Sequence, residues 1–238
     1  MIVKDIGFII RRYNFRNTSL IASIYTLNFG KIVGIFKGFY TKKREFTSHL
    51  GFCSLNEFLF YPKKREIWLI SQTDLICDFS FLWKDLKKNE IATICSLLVD
   101  RMMPLWEVNK DVFFLFKQTL EYLDKKDIDI VFFTFLLKFL TFSGFKPQLN
   151  RCINCEATLI GDVFFSVGKG GLLCQKCYKK VDDWQKVSSQ VGRSLLYLQD
   201  SHFPLVFNLQ LAESCKKEIN FILKQFLSYH LDFNFLKF

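Results

Sequence analysis

Four cysteines constrain this chain more than any other feature. Cys152-Ile153-Asn154-Cys155 is followed, after eighteen residues, by Cys174-Gln175-Lys176-Cys177. Two residues between thiols let the backbone curl so that both sulfurs face one ion, and zinc takes four such ligands in a tetrahedron. Any fold must therefore bring the two knuckles together. Phe164-Phe165-Ser166-Val167 between them reads as a hairpin strand, and Lys169-Gly170-Gly171 offers a tight turn before the second knuckle. The spacing predicts one structural Zn2+ held by Cys152, Cys155, Cys174 and Cys177, in a module at about residues 150–180. A closed four-thiolate site keeps no position for water, so no zinc catalysis is expected. Zinc deaminases also need His-x-Glu, and none of His49, His202 and His230 is followed by x-Glu. Cys53, Cys77, Cys95 and Cys215 fall within predicted strands, helices or their ends and read as core thiols.

The hydrophobic period changes near residue 80. Before it, Ile2 to Arg12, Leu20 to Leu27, Lys31 to Phe39, Phe52 to Tyr61 and Glu66 to Thr73 are short runs rich in Ile, Phe, Tyr, Val and Leu. Asn28-Phe29-Gly30 forms a hairpin turn, and Pro62-Lys63-Lys64-Arg65 turns the fourth strand into the fifth. Five strands with no helix-length pattern suggest a small closed barrel, of which the OB-fold is the commonest that binds nucleic acid. After Asp78, apolar residues from Leu86 to Met102 recur at three and four until Pro104. Asp111 caps a second helix, Asp127 starts a third over Ile128 to Phe142 that ends at Gly144, and a last helix runs from about Ala212 to Tyr229. The predicted class is α+β: an OB barrel over residues 1–80, then a helical domain over 81–238 that carries the zinc module.

The chain is basic, with a formal charge of +10 over 238 residues. Residues 1–80 carry 12 Lys and Arg against 6 Asp and Glu. Such a balance favours a polyanion. The candidate DNA contacts are Arg11, Arg12 and Arg16 at the end of strand one, and Lys31 and Lys37 flanking strand three. Lys42, Lys43 and Arg44 follow in the loop after it, and Lys63, Lys64 and Arg65 join strands four and five. On an OB barrel the loops and the strand 2–3 face form the nucleic-acid surface, and Tyr13, Phe15 and Tyr40 lie among the cations, where aromatic rings stack bases. No secretory signal is visible, since Gly7-Phe8-Ile9-Ile10 is cut off by Arg11-Arg12. Ile128 to Phe142 is too short to span a membrane and contains Lys138. A cytoplasmic protein without membrane partners is expected, its cysteines serving as metal ligands or free thiols.

Several stretches resemble one known family. Gly7-Phe8-Ile9-Ile10-Arg11-Arg12 with Asn17-Thr18-Ser19-Leu20-Ile21, and Thr26 through Gly30-Lys31 to Lys37-Gly38, are similar to the opening of the DNA repair protein RecO family. Leu140 through Gly144-Phe145-Lys146-Pro147 to Arg151-Cys152, Gly170-Gly171-Leu172-Leu173-Cys174 and the ending Tyr229-His230-Leu231 fit as well. The resemblance implies binding of single- and double-stranded DNA and annealing of complementary strands, at the nucleoid during repair. It also implies work with RecR, with the acidic, apolar-tipped tail of single-stranded DNA-binding protein (SSB) and, in many bacteria, with RecF, so that RecA is loaded. Arg101, Lys117, Lys138 and Lys146, spaced along Phe- and Leu-rich helices, are cations that suit such a tail. Two departures stand out: Glu156 follows the first knuckle where the family usually has Gly, and the tail after His230 is less basic than in typical relatives.

The expected function is a non-catalytic recombination mediator. No nucleophile with a base, acid–base pair or Gly-rich phosphate loop is evident; Gly34, Gly38 and the turn at 168–171 match neither nucleotide-loop spacing. The alternatives are an OB-fold RNA-binding or ribosome-associated zinc protein, and a zinc hydrolase, against which the ligand set speaks.

Overall fold

The structure is a computed structural model that describes residues 2–41, 50–63 and 66–233. Two compact units divide it, Met1–Asp124 and Lys125–Phe238.

The first unit opens with five strands: β1 (Val3–Phe15), β2 (Ser19–Thr26), β3 (Gly30–Phe36), β4 (Leu55–Tyr61) and β5 (Trp68–Cys77). They close into a barrel in the order β1-β2-β3-β5-β4, antiparallel except where β3 meets β5 at Gly34 and Ile35. This is the OB-like barrel expected. Alternation places Ile9, Leu20, Ile24, Ile32, Phe58 and Ile70 in its interior. The β2–β3 turn depends on Gly30, whose φ is 64°; a Cβ there would sit 2.0 Å from the Glu107 carbonyl oxygen. Strand edges differ from expectation at four places. β1 continues past Arg12 to Phe15. β3 ends at Phe36 rather than Phe39. β4 begins only at Leu55, because Cys53 takes a left-handed turn at φ 61°. β5 runs on to Cys77.

Two helices complete this unit, α1 (Leu86–Met102) and α2 (Lys110–Leu123). Asp85 and Asn109 cap them by accepting from the backbone N–H of Lys88 and Val112. They pack on the barrel wall through side chains that the barrel alone would leave wet. Phe8 of β1 meets Phe113 and Phe116 at 5.2 and 5.1 Å between centroids, and Ser96 donates to the Ile10 carbonyl at 2.8 Å. Tyr25 of β2 donates to the Asn109 carbonyl at 3.0 Å. The compact unit is thus larger than the barrel over 1–80, since burying a Phe or Leu is worth roughly 1.5–3 kcal/mol each.

The second unit contains α3 (Ile128–Phe142), β6 (Val163–Ser166), β7 (Gly171–Leu173), β8 (Trp184–Val187), α4 (Ser189–Asp200), α5 (Phe203–Val206) and α6 (Glu213–Leu231). Helix α3 is buried on nearly every side, as its composition predicts. The strands form a three-stranded sheet ordered β7-β6-β8, so the expected strand between the knuckles is its centre. Strand β8 and helix α4 lie outside the sequence reading. The signal for α4 is nonetheless present: Ser188 caps it and Val191, Leu195 and Leu198 repeat at four and three. None of the described helices is long and apolar enough to cross a membrane.

Candidate metal centre and nucleic-acid interface

The sheet of the second unit brings the two knuckles together. β6 and β7 form a hairpin through Phe164↔Leu173 and Phe165↔Leu172, and Ile153 donates to the Leu172 carbonyl at 2.8 Å. The first knuckle turns on itself, with Glu156 N–H donating to the Cys152 carbonyl at 2.8 Å and Cys152 N–H to that of Ala157 at 2.9 Å. The second turns likewise, Cys177 and Tyr178 donating to the Cys174 carbonyl at 3.0 and 3.2 Å. Glu156 adopts φ 58°, the left-handed conformation that favours glycine. The turn has kept its shape despite the larger residue.

The four sulfurs of Cys152, Cys155, Cys174 and Cys177 all lie within 4.8 Å of one another. A zinc–sulfur bond of about 2.3 Å sets a tetrahedron's edge near 3.8 Å, and Cys155 and Cys174 are 3.8 Å apart. Sulfur-directed donors surround the cluster. Cys174 N–H reaches the Cys152 sulfur and the Asn154 amide reaches that of Cys177, both at 3.4 Å. Burial pushes the Cys152 thiol up, but the backbone N–H groups of Cys174, Asn154 and Cys155 outweigh it and hold it at about 6. The Ala157 N–H lowers Cys155, yet the sulfurs of Cys177, Cys152 and Cys174 push it up to about 12. Four sulfurs this close shed all their protons only around a cation. The donor set therefore fits a metal ion. Phe164, Leu173, Tyr178 and Val181 pack against it, and Phe164 stacks on Tyr178 at 3.8 Å. Of the other cysteines, Cys53, Cys95 and Cys215 are buried and Cys77 is half-buried.

The basic residues of the first unit separate into kinds. Arg11, Arg12 and Arg16 are exposed at the end of β1, Lys37 is exposed in the turn after β3, and Lys63 is exposed beside Glu66. Arg12 also donates to the Leu50 carbonyl at 2.6 Å, and the Arg16 guanidinium lies 5.2 Å from the Phe15 ring centre. The β1–β2 turn and the turn after β3 are joined by Tyr40, whose N–H donates to the Thr18 carbonyl at 3.2 Å and whose hydroxyl donates to Asn14. Lys31 differs. Its ammonium donates to the Asp100 carbonyl and pairs with the Asp100 carboxylate at 3.7 Å, with its side chain only 12% exposed. It ties β3 to α1 rather than presenting a cation to solvent. Burial lowers its pKa, opposed by Asp100. Arg11 shares the same carboxylate at 3.6 Å while remaining open to water. Lys42, Lys43, Arg44, Lys64 and Arg65 lie outside the described residues.

Of the two parts of an OB barrel's usual surface, the strand 2–3 face is covered here, whereas the β1 end and the β1–β2 loop are open. β2 is buried at every position except half-buried Ser23, and β3 alternates buried with half-buried. Residues 11–18, by contrast, are exposed throughout.

The profile described as "Recombination protein O N terminal" matches residues 1–79, and that described as "Recombination protein O C terminal" matches residues 84–237. The chain belongs to the RecO family. DNA repair protein RecO of Alkaliphilus metalliredigens is 28% identical over 235 residues, which cover 98% of this chain and 95% of that protein. The Caldicellulosiruptor bescii protein of the same name is 29% identical over 226 residues, 93% and 90% of the two chains. That of Pelotomaculum thermopropionicum is 30% identical over 168 residues, 71% of this chain and 66% of the relative. The first match spans the barrel and the second spans the cysteine module. The tie between Lys31 and Asp100 was beyond sequence reading, because nothing local pairs residues 69 apart.

Proposed function

We propose that this protein is a non-catalytic recombination mediator. It binds single- and double-stranded DNA, anneals complementary strands and, with RecR, helps load RecA onto SSB-coated DNA. Family membership along both units carries this reading, and the exposed cations at the end of β1 supply the chemistry. Cations that neutralise phosphates of two strands lower their mutual repulsion and let bases pair. No bond in DNA need break, so the protein acts as a scaffold.

The four cysteines hold one Zn2+ in a structural role. Full thiolate ligation leaves the ion no open position, and its contribution is to lock two knuckles that otherwise have little core. The SSB tail docks on the helical part, residues 81–238, where apolar side chains occur and where Lys146, paired with Asp200 at 3.6 Å, is a half-exposed cation. The same family reading extends to RecF as a further partner and to a nucleoid-associated cytoplasmic location. Mixing the protein with complementary single strands tests the core of the reading. Annealing should accelerate and the protein should remain unconsumed; binding without acceleration would favour a plain RNA- or DNA-binding module instead.

A further inference from the structure

The end of β1 carries more than charge. Tyr13 and Phe15 are two residues apart on one strand, so they project from the same side of it, about 7 Å apart along the chain. Tyr13 is 48% and Phe15 37% exposed. Their cross-strand partners are Ile21 and Ser19, both buried, so the two rings are the exposed layer of that side of the ribbon. Arg11, at the next position on the same strand towards the barrel, is opposite Ser23. Arg16 extends the row past Phe15, its guanidinium 5.2 Å from that ring. Cations therefore bracket two exposed aromatic rings along one strand.

Large apolar rings held at the surface cost hydration, and burial within the unit does not repay it for these two. Tyr25 of β2 shows the contrast: it is fully buried and its hydroxyl is satisfied by the Asn109 carbonyl. With β2 covered, the described residues of the barrel still expose aromatic rings, and Tyr13 and Phe15 are two of them that share one side of one strand. Bases offer a π-face to such rings only when they are unpaired, because in a duplex those faces are already stacked on one another.

We propose that Tyr13 and Phe15 stack unpaired bases and so set a preference of this face for single-stranded over duplex DNA, with the flanking arginines holding the phosphates. The inference rests on the DNA-binding reading above and deepens it. It also separates two kinds of interaction by their salt dependence. Phosphate neutralisation releases counterions and steepens the fall of affinity with salt, whereas stacking contributes affinity without changing that slope.

The test uses the full-length chain with Tyr13→Leu and Phe15→Leu combined, which keeps apolar bulk and removes the rings. Both side chains are substantially exposed, so the melting temperature should hold and report intact folding. Affinity for an oligothymidylate should fall about tenfold or more, with an unchanged salt slope and unchanged duplex affinity. Tyr13→Phe alone should bind like the wild type, since the ring and not the hydroxyl acts. Equal losses on single strand and duplex, a flattened salt slope, or undiminished single-strand binding would each overturn the proposal. Wild-type protein that binds neither form would overturn the parent reading along with it.

Discussion

Glu156 shows how one residue carries a local constraint. Its φ of 58° is imposed by the knuckle, whose carbonyl at Cys152 must accept the Glu156 N–H. A left-handed conformation costs an L-residue roughly 1–2 kcal/mol, more for a β-branched one. Glu156→Gly should leave stability unchanged or raise it by up to about 1 kcal/mol, since relief of strain is offset by glycine's larger unfolded entropy. Glu156→Val should lower it and loosen the metal. Chemical denaturation and chelator-driven metal release measure both. Lys31 makes a second case. Lys31→Met should destabilise by about 1 kcal/mol, because the largely buried Asp100 loses the ammonium that ties β3 to it and keeps Arg11 at 3.6 Å, yet leave DNA affinity unchanged. Asp127 supplies the pH dependence. Burial raises its pKa, but the ammonium of Lys216 and the N–H groups of Ile130 and Asp129 outweigh that and lower it. Its stabilisation is therefore full above its unfolded value of about 3.9 and lost as pH falls through the lower folded value. Asp127→Ala should cost about 1 kcal/mol at neutral pH, and the difference from the wild type should shrink steadily as the pH is lowered below about 3.9, as read by thermal melts at each pH.

At the scale of elements, the sequence was legible wherever a period or a cap repeated locally. Helices α1 and α3 begin where expected, with Asp85 and Asp127 accepting helix N–H groups, whereas α2 begins before the expected cap Asp111 because Asn109 is the residue that accepts from the Val112 N–H. Strand ends were less legible. β1 continues to Phe15 through residues exposed on both faces, which no alternation of apolar residues marks. The clustering of the four cysteines was legible from spacing alone, whereas the coverage of β2 by α1 and α2 was not, since it depends on pairings such as Tyr25 with Asn109, distant in sequence. That coverage removes the strand 2–3 face and leaves the candidate DNA face on the β1 end and the turns. Arg16→Glu with Lys37→Glu should weaken DNA binding across all sequences. The logarithmic salt slope should flatten by up to about 0.9 for each duplex phosphate that is no longer neutralised. Titrations at several salt concentrations decide it, and a variant with wild-type affinity and slope would remove these turns from the interface.

For the whole molecule, a candidate metal centre and a barrel proposed to bind DNA occur on one chain, and the two should fail separately. Cys174→Ser should unfold the knuckles, because structural zinc sites supply on the order of 10 kcal/mol of local folding free energy. Metal analysis of the freshly purified wild type should return one zinc per chain. The barrel has a core of its own in Ile9, Phe36, Phe58 and their neighbours, so its DNA affinity should outlast the loss of metal. If these parts serve the pairing of DNA strands, an annealing assay on complementary strands coated with SSB reads that out. The protein should accelerate duplex formation on coated strands, and adding RecR should promote RecA assembly on a coated single strand. Tight DNA binding with no acceleration of annealing and no effect on RecA assembly would contradict it.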